Sequence, residues 1–452
     1  MLKKKTWTGF LLFTLIFMMT FPVWAGGGRD VLKGYDIVVG GWSGDYDVNT
    51  YKPTSEIEEL ELEWRKKIQR ENGFTMRTKQ IAGWGEMLDA IATSIMAGKP
   101  AAHAFWVQPD WAMALHRQGL LYPVSDSKAV NLKTSTGIIG RQVAYNQDVA
   151  QLFTFAGKQY AIGIGYGGSL HGAGIYFNKR LFREAGLDPD TPYNMQRDGT
   201  WNWENFLVLC KQLTRDRNNT GRIDTYAMSA DLSTEILDQI VFSNGANYVD
   251  KDRNGNFVNA SNRPEFIEAL QFTIRLRNEG VMMPRPEGSN WDWYWPMFHD
   301  GHVAMMMEPE WRRGQLRDMT DDWGFVLFPK GPRARDYRFP NDENVLIIPA
   351  VFKPAEVDAI LSAINLWHMP VTDDWKSGLY PWFRDRRAVD ETMVMIRDPR
   401  YSAFRNFIMI PGFNRGEISG QMWWYDGEPA QLIESVSQNW NALIEDANTI
   451  ER

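Results

Sequence analysis

Residues 216–224, Asp-Arg-Asn-Asn-Thr-Gly-Arg-Ile-Asp, set oxygen-bearing side chains at the first, third, fifth and ninth positions and glycine at the sixth. That spacing suits a calcium loop, whose tight turn needs the glycine. The twelfth position is Ala227, so the bidentate glutamate is missing. Two readings stand: Asp216, Asn218, Thr220 and Asp224 hold a structural calcium, or they form an Asx-rich turn that needs no ion. Asp250-Lys251-Asp252-Arg253-Asn254-Gly255 begins a similar loop but has Ser261 at its final position. Tyr248 and Val249 before it and Phe257 and Val258 after it favour an Asn-Gly hairpin.

Chemistry that breaks bonds finds little support. The six histidines are scattered, with no HExxH or paired-cysteine spacing and no G-x-S-x-G elbow. Cys210 lies in an amphipathic helical pattern, a poor setting for a nucleophile. Gly163, Gly165 and Gly168 match GxGxxG, but a strand-like run follows them where a nucleotide fold needs a helix, so they read as a hinge or a close backbone approach. The composition points instead to holding a ligand. There are 20 Trp and 16 Tyr, and although most tryptophans in any chain are ordinary packing, such a surplus suits flat platforms for sugar rings. Carboxylates would accept the sugar hydroxyls.

The elements that must position these groups alternate. Short apolar runs at Tyr35 to Val39, Ala104 to Val107, Gly174 to Phe177, His302 to Met307, Trp323 to Phe328 and Val345 to Ile348 read as strands. Between them, Met87, Leu88, Ile91, Ile95 and Met96, or Ile267, Leu270, Ile274 and Leu276, follow helical spacing. A final helix near Pro429 to Ala447 carries Leu432, Val436, Trp440, Leu443 and Ile444 on one face. Alternating strands and helices imply α/β layers, and 452 residues exceed what one core usually supports, so two lobes are expected.

Residues 157–230 carry the most specific signal. A GK-x-Y segment precedes the strand Gly174 to Phe177, which ends at Asn178 and Lys179. Leu181, Phe182 and Ala185 continue at helical spacing to a stop at Gly186, and the turn Leu187 to Thr191 follows. Asn202 and Glu204 then open a second helix along Phe206, Leu207, Leu209 and Leu213. This order resembles the extracellular solute-binding proteins of ABC importers, the family that contains the maltose-binding protein. The resemblance implies a type II periplasmic-binding-protein fold, two α/β lobes joined by three crossovers near Ser169 to Ala173, Asp342 to Leu346 and Arg397 to Tyr401. Residues 26–170 and 346–396 would form the first lobe, and 171–345 and 397–452 the second. Trp42 and Asp45 follow the first strand, Asp110 and Trp111 follow another, His171 lies in the first crossover, and Glu235 and Trp311 lie in segments that contact ligand in such proteins. Trp423, Trp424 and Tyr425, a cluster in a glycine-flanked loop, are added on their chemistry. Several of Trp291, Trp293, Tyr294 and Trp295 are expected to pack in the core. Arg312, Arg313, Arg384, Arg386 and Arg387 could serve an acidic sugar if any of them faces the cleft.

Lys3, Lys4 and Lys5 ahead of the apolar stretch Phe10 to Val23, with Val23-Trp24-Ala25 behind it, read as a secretory signal peptide, residues 1–25, cleaved near Ala25. A periplasmic or secreted protein is expected. The formal charge is -7 and becomes more negative without those lysines, which disfavours nucleic acid as a partner. The single Cys excludes an internal disulfide. The expectation is therefore a monomeric, non-enzymatic solute-binding protein without a cofactor, apart from the calcium in question. It would capture a carbohydrate, by default a neutral oligosaccharide, and deliver it to the membrane subunits of an ABC permease. A secreted glycoside hydrolase and a binding protein that feeds a chemoreceptor or sensor are the competing readings.

Overall fold

The apolar runs become the strands of two four-stranded sheets in a computed structural model that describes residues 31–133, 143–165, 172–229, 234–290, 292–341, 343–372, 374–422 and 427–450. The first part of the chain supplies β1 (Asp36–Gly41), α1 (Glu56–Asn72), β2 (Thr75–Gln80), α2 (Met87–Met96), β3 (Ala104–Val107) and α3 (Pro109–Arg117). Then come β4 (Ala173–Asn178), α4 (Lys179–Glu184), α5 (Trp203–Leu213), β5 (Tyr226–Ser229), α6 (Thr234–Ser243), α7 (Pro264–Asn278), β6 (Val303–Pro309) and β7 (Trp323–Leu327). The chain returns as β8 (Val345–Ile347) and α8 (Pro354–Trp367) and ends with α9 (Gly416–Met422) and α10 (Pro429–Ile450).

Strand order is β8-β3-β1-β2 in the first sheet and β7-β4-β6-β5 in the second. β1 runs parallel to β2 and β3, and β8 lies antiparallel on β3. In the second sheet β4 is antiparallel to both β6 and β7, and β5 is parallel to β6. Both faces of the first sheet are covered. Ile37 and Val39 face a core with Ile68, Leu346 and Ile360, while Val38 faces Ile91 and Phe105 on the other side. Period-two alternation thus puts neighbouring residues of β1 into different cores. β4 and β7 are buried at every position, which is why they read as continuous apolar runs.

Helix ends follow the side chains that cap them. Asn178 accepts hydrogen bonds from the N–H groups of Arg180 and Leu181 at the start of α4, and Asn202 accepts one from Asn205 at the start of α5. Ser55 does the same for Glu58 in α1, which stops at Gly73 in the left-handed region, φ 69°. Gly163 belongs to a close approach, as expected: a Cβ there would lie 2.8 Å from Val149 Cγ2. The 250–255 segment is a hairpin turn between Val249–Lys251 and Phe257–Asn259. Trp293 and Tyr294 are buried, while Trp291 lies outside the described residues.

The passages between the lobes gather at one end of each sheet. Val345, the first residue of β8, pairs with Val107, the last of β3. Gly172, just ahead of β4, accepts a hydrogen bond from the N–H of Glu310, just beyond β6. The carboxyl ends of β1, β3, β5 and β6 therefore point toward the passages. The lobes also touch directly: α3 packs on residues 406–409, and Arg117 donates to the carbonyl of Met409. Residues 384–392 contact the second sheet and its surroundings: Arg384 donates to the Met319 carbonyl, Asp385 pairs with Lys179, the Thr392 hydroxyl donates to the Phe325 carbonyl, and Gln196 donates to the Thr392 hydroxyl.

Candidate functional site

Three tryptophans cluster where the strands of the first sheet end. Trp42 follows β1, Trp84 follows β2 in the short turn Trp84–Glu86, and Trp111 lies in the first turn of α3, after β3. The Trp111 ring sits 5.4 Å from Trp42 in an edge-on contact and 5.4 Å from Trp84 in a tilted one. Trp111 is buried, Trp42 half-buried, and Trp84 is 57% exposed. The buried ring thus braces two others, one of which offers an open face. Asp45 is exposed and accepts a hydrogen bond of 2.8 Å from the Gln80 N–H, which ties the loop after β1 to the end of β2. Asp110 is exposed beside the buried Trp111, in the positive first turn of α3.

The second lobe carries the other candidates. Glu235 is exposed in the first turn of α6. Trp311 follows β6 in the 3₁₀ stretch Glu310–Leu316, is 48% exposed, and has the Arg312 guanidinium 4.5 Å from its ring centroid. Arg312 is itself buried and held by Glu308 at 2.9 Å, Gln315 at 2.7 Å and the Tyr294 hydroxyl at 3.2 Å. It can brace Trp311 but is not at liberty to meet a ligand. Arg313 is likewise paired with Glu310, Arg384 with the Met319 carbonyl, and Arg387 with Glu391 at 2.6 Å. Arg386 lies 3.9 Å from the ring centroid of Tyr380. The five arginines considered for an acidic ligand are thus all engaged.

Arg415, at the start of α9, links the two sets. It forms an ion pair with the buried Asp238 of α6 and stacks 4.5 Å over the ring of Phe407, in the segment that packs on α3. Burial pushes its pKa down, while Glu235 from the same lobe and Asp110 from the opposite lobe pull it up.

Of the residues named from sequence, Trp42 and Trp111 are in contact, Asp110 and Glu235 are exposed in the first turns of α3 and α6, and Trp311 stands at the corresponding end of the second sheet. Asp45 adjoins them through β2. His171 and Trp423, Trp424 and Tyr425 lie outside the described residues. Trp84 and Arg415 were missed. The signal for Trp84 was its position just after a strand, but β2 reads TMRTKQ and was not recognised as one. Nothing local marks Arg415, whose partner Asp238 is distant in sequence. Two depressions lie on the first lobe away from this site. One, of about 520 Å³, is bordered by Tyr35, Asp36, Gln69 and Phe74, and one of about 100 Å³ by Trp64, Arg65, Trp367 and His368. Both draw on one lobe only.

The 216–224 loop does bring its polar residues together. Asp216 accepts the N–H groups of Thr220 at 3.0 Å and Gly221 at 2.6 Å, and Asp224 accepts those of Arg217 and Asn218 at 3.1 Å each. The Arg217 guanidinium stands 3.5 Å from Asp224, where a cation's charge would be wanted. This donor set fits an Asx turn closed on itself better than a calcium cage. Among the described residues, no group of three or more His, Cys, Asp or Glu side chains is placed to hold a metal. No helix among them is long and apolar enough to cross a membrane.

Comparison with known proteins agrees with this geometry. A family model described as bacterial extracellular solute-binding protein matches residues 63–359. Among solved structures, an ABC substrate-binding protein from Listeria monocytogenes in complex with cycloalternan is similar at TM-score 0.63 and 17% identity, covering 91% of this chain and 99% of that one. The maltotriose-binding protein of Thermus thermophilus, bound with maltotriose, is similar at TM-score 0.55 and 17% identity, covering 92% and 99%. The maltose/maltodextrin-binding domain from Bdellovibrio bacteriovorus, bound to maltotriose, is similar at TM-score 0.57 and 13% identity, covering 91% and 99%. At such identities the likeness is one of fold. No match was found among curated proteins.

Proposed function

The chain belongs to the bacterial extracellular solute-binding proteins, and from that membership we propose that it captures a carbohydrate between its lobes and hands it unchanged to an ABC permease. The observation that carries the reading is the cluster Trp42, Trp84 and Trp111 at the strand ends of one lobe. Indole faces take the C–H faces of sugar rings, and carboxylates accept their hydroxyls. Trp311 would supply a platform from the second lobe. Such a cleft binds well only when shut, so ligand shifts the lobes toward closure and closure presents both of them to the permease together. We assign residues 31–165 and 345–372 to the first lobe and 172–341 and 384–450 to the second, with the loop 216–224 as a turn rather than a cofactor site. Processing of residues 1–25 and a monomeric state belong to the same proposal.

The similar structures bound to maltotriose and cycloalternan support oligosaccharides as the first ligands to try. The test is a thermal-shift screen of the purified chain against sugar libraries, since a ligand that binds only the folded state raises the melting midpoint. The best hit, recovered after long incubation, should be chemically intact. Released monosaccharide would overturn the transport reading in favour of hydrolysis.

A further inference from the structure

The larger depression on the first lobe, about 520 Å³, is as roomy as many small-molecule sites. It lies at the amino ends of β1 and β2, where Tyr35, Phe74 and Val48 give it an apolar lining. The tryptophan cluster stands at the other ends of those strands. Lys66 and Arg70 border the groove from α1, four residues apart and hence neighbours on one face of the helix. Neither side chain has a hydrogen-bond or ion partner among the described residues. The same holds for Lys33, whose stem lies against Gly73 on the rim.

The acids nearby are committed elsewhere. Asp36, the carboxylate among the lining residues, is paired with Arg77 and accepts the Thr75 hydroxyl at 2.6 Å. Asp47 accepts the backbone and side-chain N–H groups of Asn49 at 2.8 and 2.9 Å. Glu63 and Glu71 of α1 do not border the groove. The end of a helix ordinarily repels an anion through its free carbonyls, but α1 ends with those acceptors occupied. The Gln69 carbonyl accepts the N–H groups of Gly73 and Phe74 at 2.9 and 3.3 Å, the Ile68 carbonyl accepts the Asn72 amide at 2.8 Å, and the Gly73 carbonyl accepts the Gly34 N–H at 2.7 Å. In a chain of formal charge -7, free cations are thus gathered around one groove.

We propose that this groove is a second binding site, separate from the interlobe cleft, for a phosphate ester whose apolar part rests on Tyr35 and Phe74 and whose phosphoryl group is held by Lys66 and Arg70. The guanidinium fork matches two phosphoryl oxygens, and the ammonium adds a point charge beside them. Bare phosphate would leave the apolar lining unused, and a neutral alcohol would leave the cations unused. A soluble ester and a phospholipid headgroup bring the same chemistry to the groove. The site stands apart from the carbohydrate reading, because none of its residues belongs to the cleft.

The test is calorimetric titration of the full chain at low salt with phenyl phosphate and with benzyl alcohol, together with sedimentation against vesicles of phosphatidylglycerol or of phosphatidylcholine. Phenyl phosphate should bind at least about tenfold tighter than the alcohol, or phosphatidylglycerol vesicles tighter than phosphatidylcholine by a similar factor, and added salt should weaken the binding. Binding of phenyl phosphate identifies a soluble ester as the source of the group; binding of phosphatidylglycerol vesicles alone identifies a headgroup. Lys66 and Arg70 are not buried, so the double variant Lys66→Gln, Arg70→Gln should fold, and it should lose about tenfold in affinity for whichever probe binds. Trp84→Ala, in the cleft, should leave that affinity unchanged. Failure of both probes overturns the site, as does a double variant that binds like the parent chain. Loss of binding in Trp84→Ala alone would move the anion into the cleft and overturn it as well.

Discussion

Residues of one type play different parts at this site, and substitution should separate them. Trp84 is 57% exposed and rests on Trp111, so Trp84→Ala removes an open ring face while little core is lost. We expect ligand affinity to fall by about 1–2 kcal/mol, roughly tenfold in Kd, with the urea midpoint nearly unchanged. Trp111 is buried between two rings, and Trp111→Ala should cost about 3–5 kcal/mol of stability as well as affinity. Fluorescence titration and urea melts on both variants check this; a strong loss of stability in Trp84→Ala would remove its role as an open platform. The turn at 216–224 is a second case. Because Asp216 and Asp224 accept backbone N–H groups and Arg217 supplies the nearby positive charge, EDTA should leave the melting midpoint unchanged, whereas Asp224→Ala should lower it. A midpoint that drops in EDTA and recovers with calcium would restore the cation reading.

Whether an element could be read from the sequence depended on how many of its faces are buried. β4 and β7 are buried throughout, and their apolar runs announce them. β2 has one fully buried residue, Met76, and at the edge of its sheet it can afford Arg77, Lys79 and Gln80, so its strand period is hidden. That omission concealed the loop bearing Trp84, while the loops after β1, β3 and β6 were found because their strands were. The helix starts at Asn178 and Asn202 were legible because capping is local chemistry. The Arg415 to Asp238 pair was not, since it joins helices brought together only by packing. The centre of the second sheet gives a prediction at this scale. At Gly174 in β4, a Cβ would lie 2.2 Å from the Val326 carbonyl oxygen of β7, and a backbone atom cannot step aside as a side chain does. Gly174→Ala should therefore destabilise by about 1–3 kcal/mol through strand separation. A variant with an unchanged midpoint would mean that the two strands pair less closely than this.

Across the whole molecule, the histidines divide by lobe, and the division predicts how the protein responds to acid. His103, His116 and His368 all belong to the first lobe, and burial lowers the pKa of each, that of His368 to about 3. His103 Nδ1 accepts the Val38 N–H at 3.0 Å, a bond that a proton on that nitrogen would break. His116 is stacked on Phe155 and meets Tyr160 at a tilt, with ring centroids 4.3 Å apart in each pair. The unfolded chain takes up these protons near the ordinary value of 6.5, while the folded lobe resists them. Their stability contribution is therefore complete above about pH 6.5 and shrinks as the pH falls toward the folded pKa values. In the second lobe His299 does the opposite. Its hydrogen bond to Asp300 at 2.8 Å raises its pKa, as does Asp318, so its contribution is present below pH 6.5 and lost as the pH rises through the folded value. Between pH 6.5 and 5, where ordinary carboxylates stay mostly ionised, the first lobe should loosen while the second holds. Hydrogen exchange at pH 7 and pH 5 measures this directly: β1 and β3 should lose protection on acidification, and β4 and β6 should not. Equal loss in both sheets would show that the lobes unfold as one unit, coupled through the contact of α3 with residues 406–409, and that the histidines do not set the order.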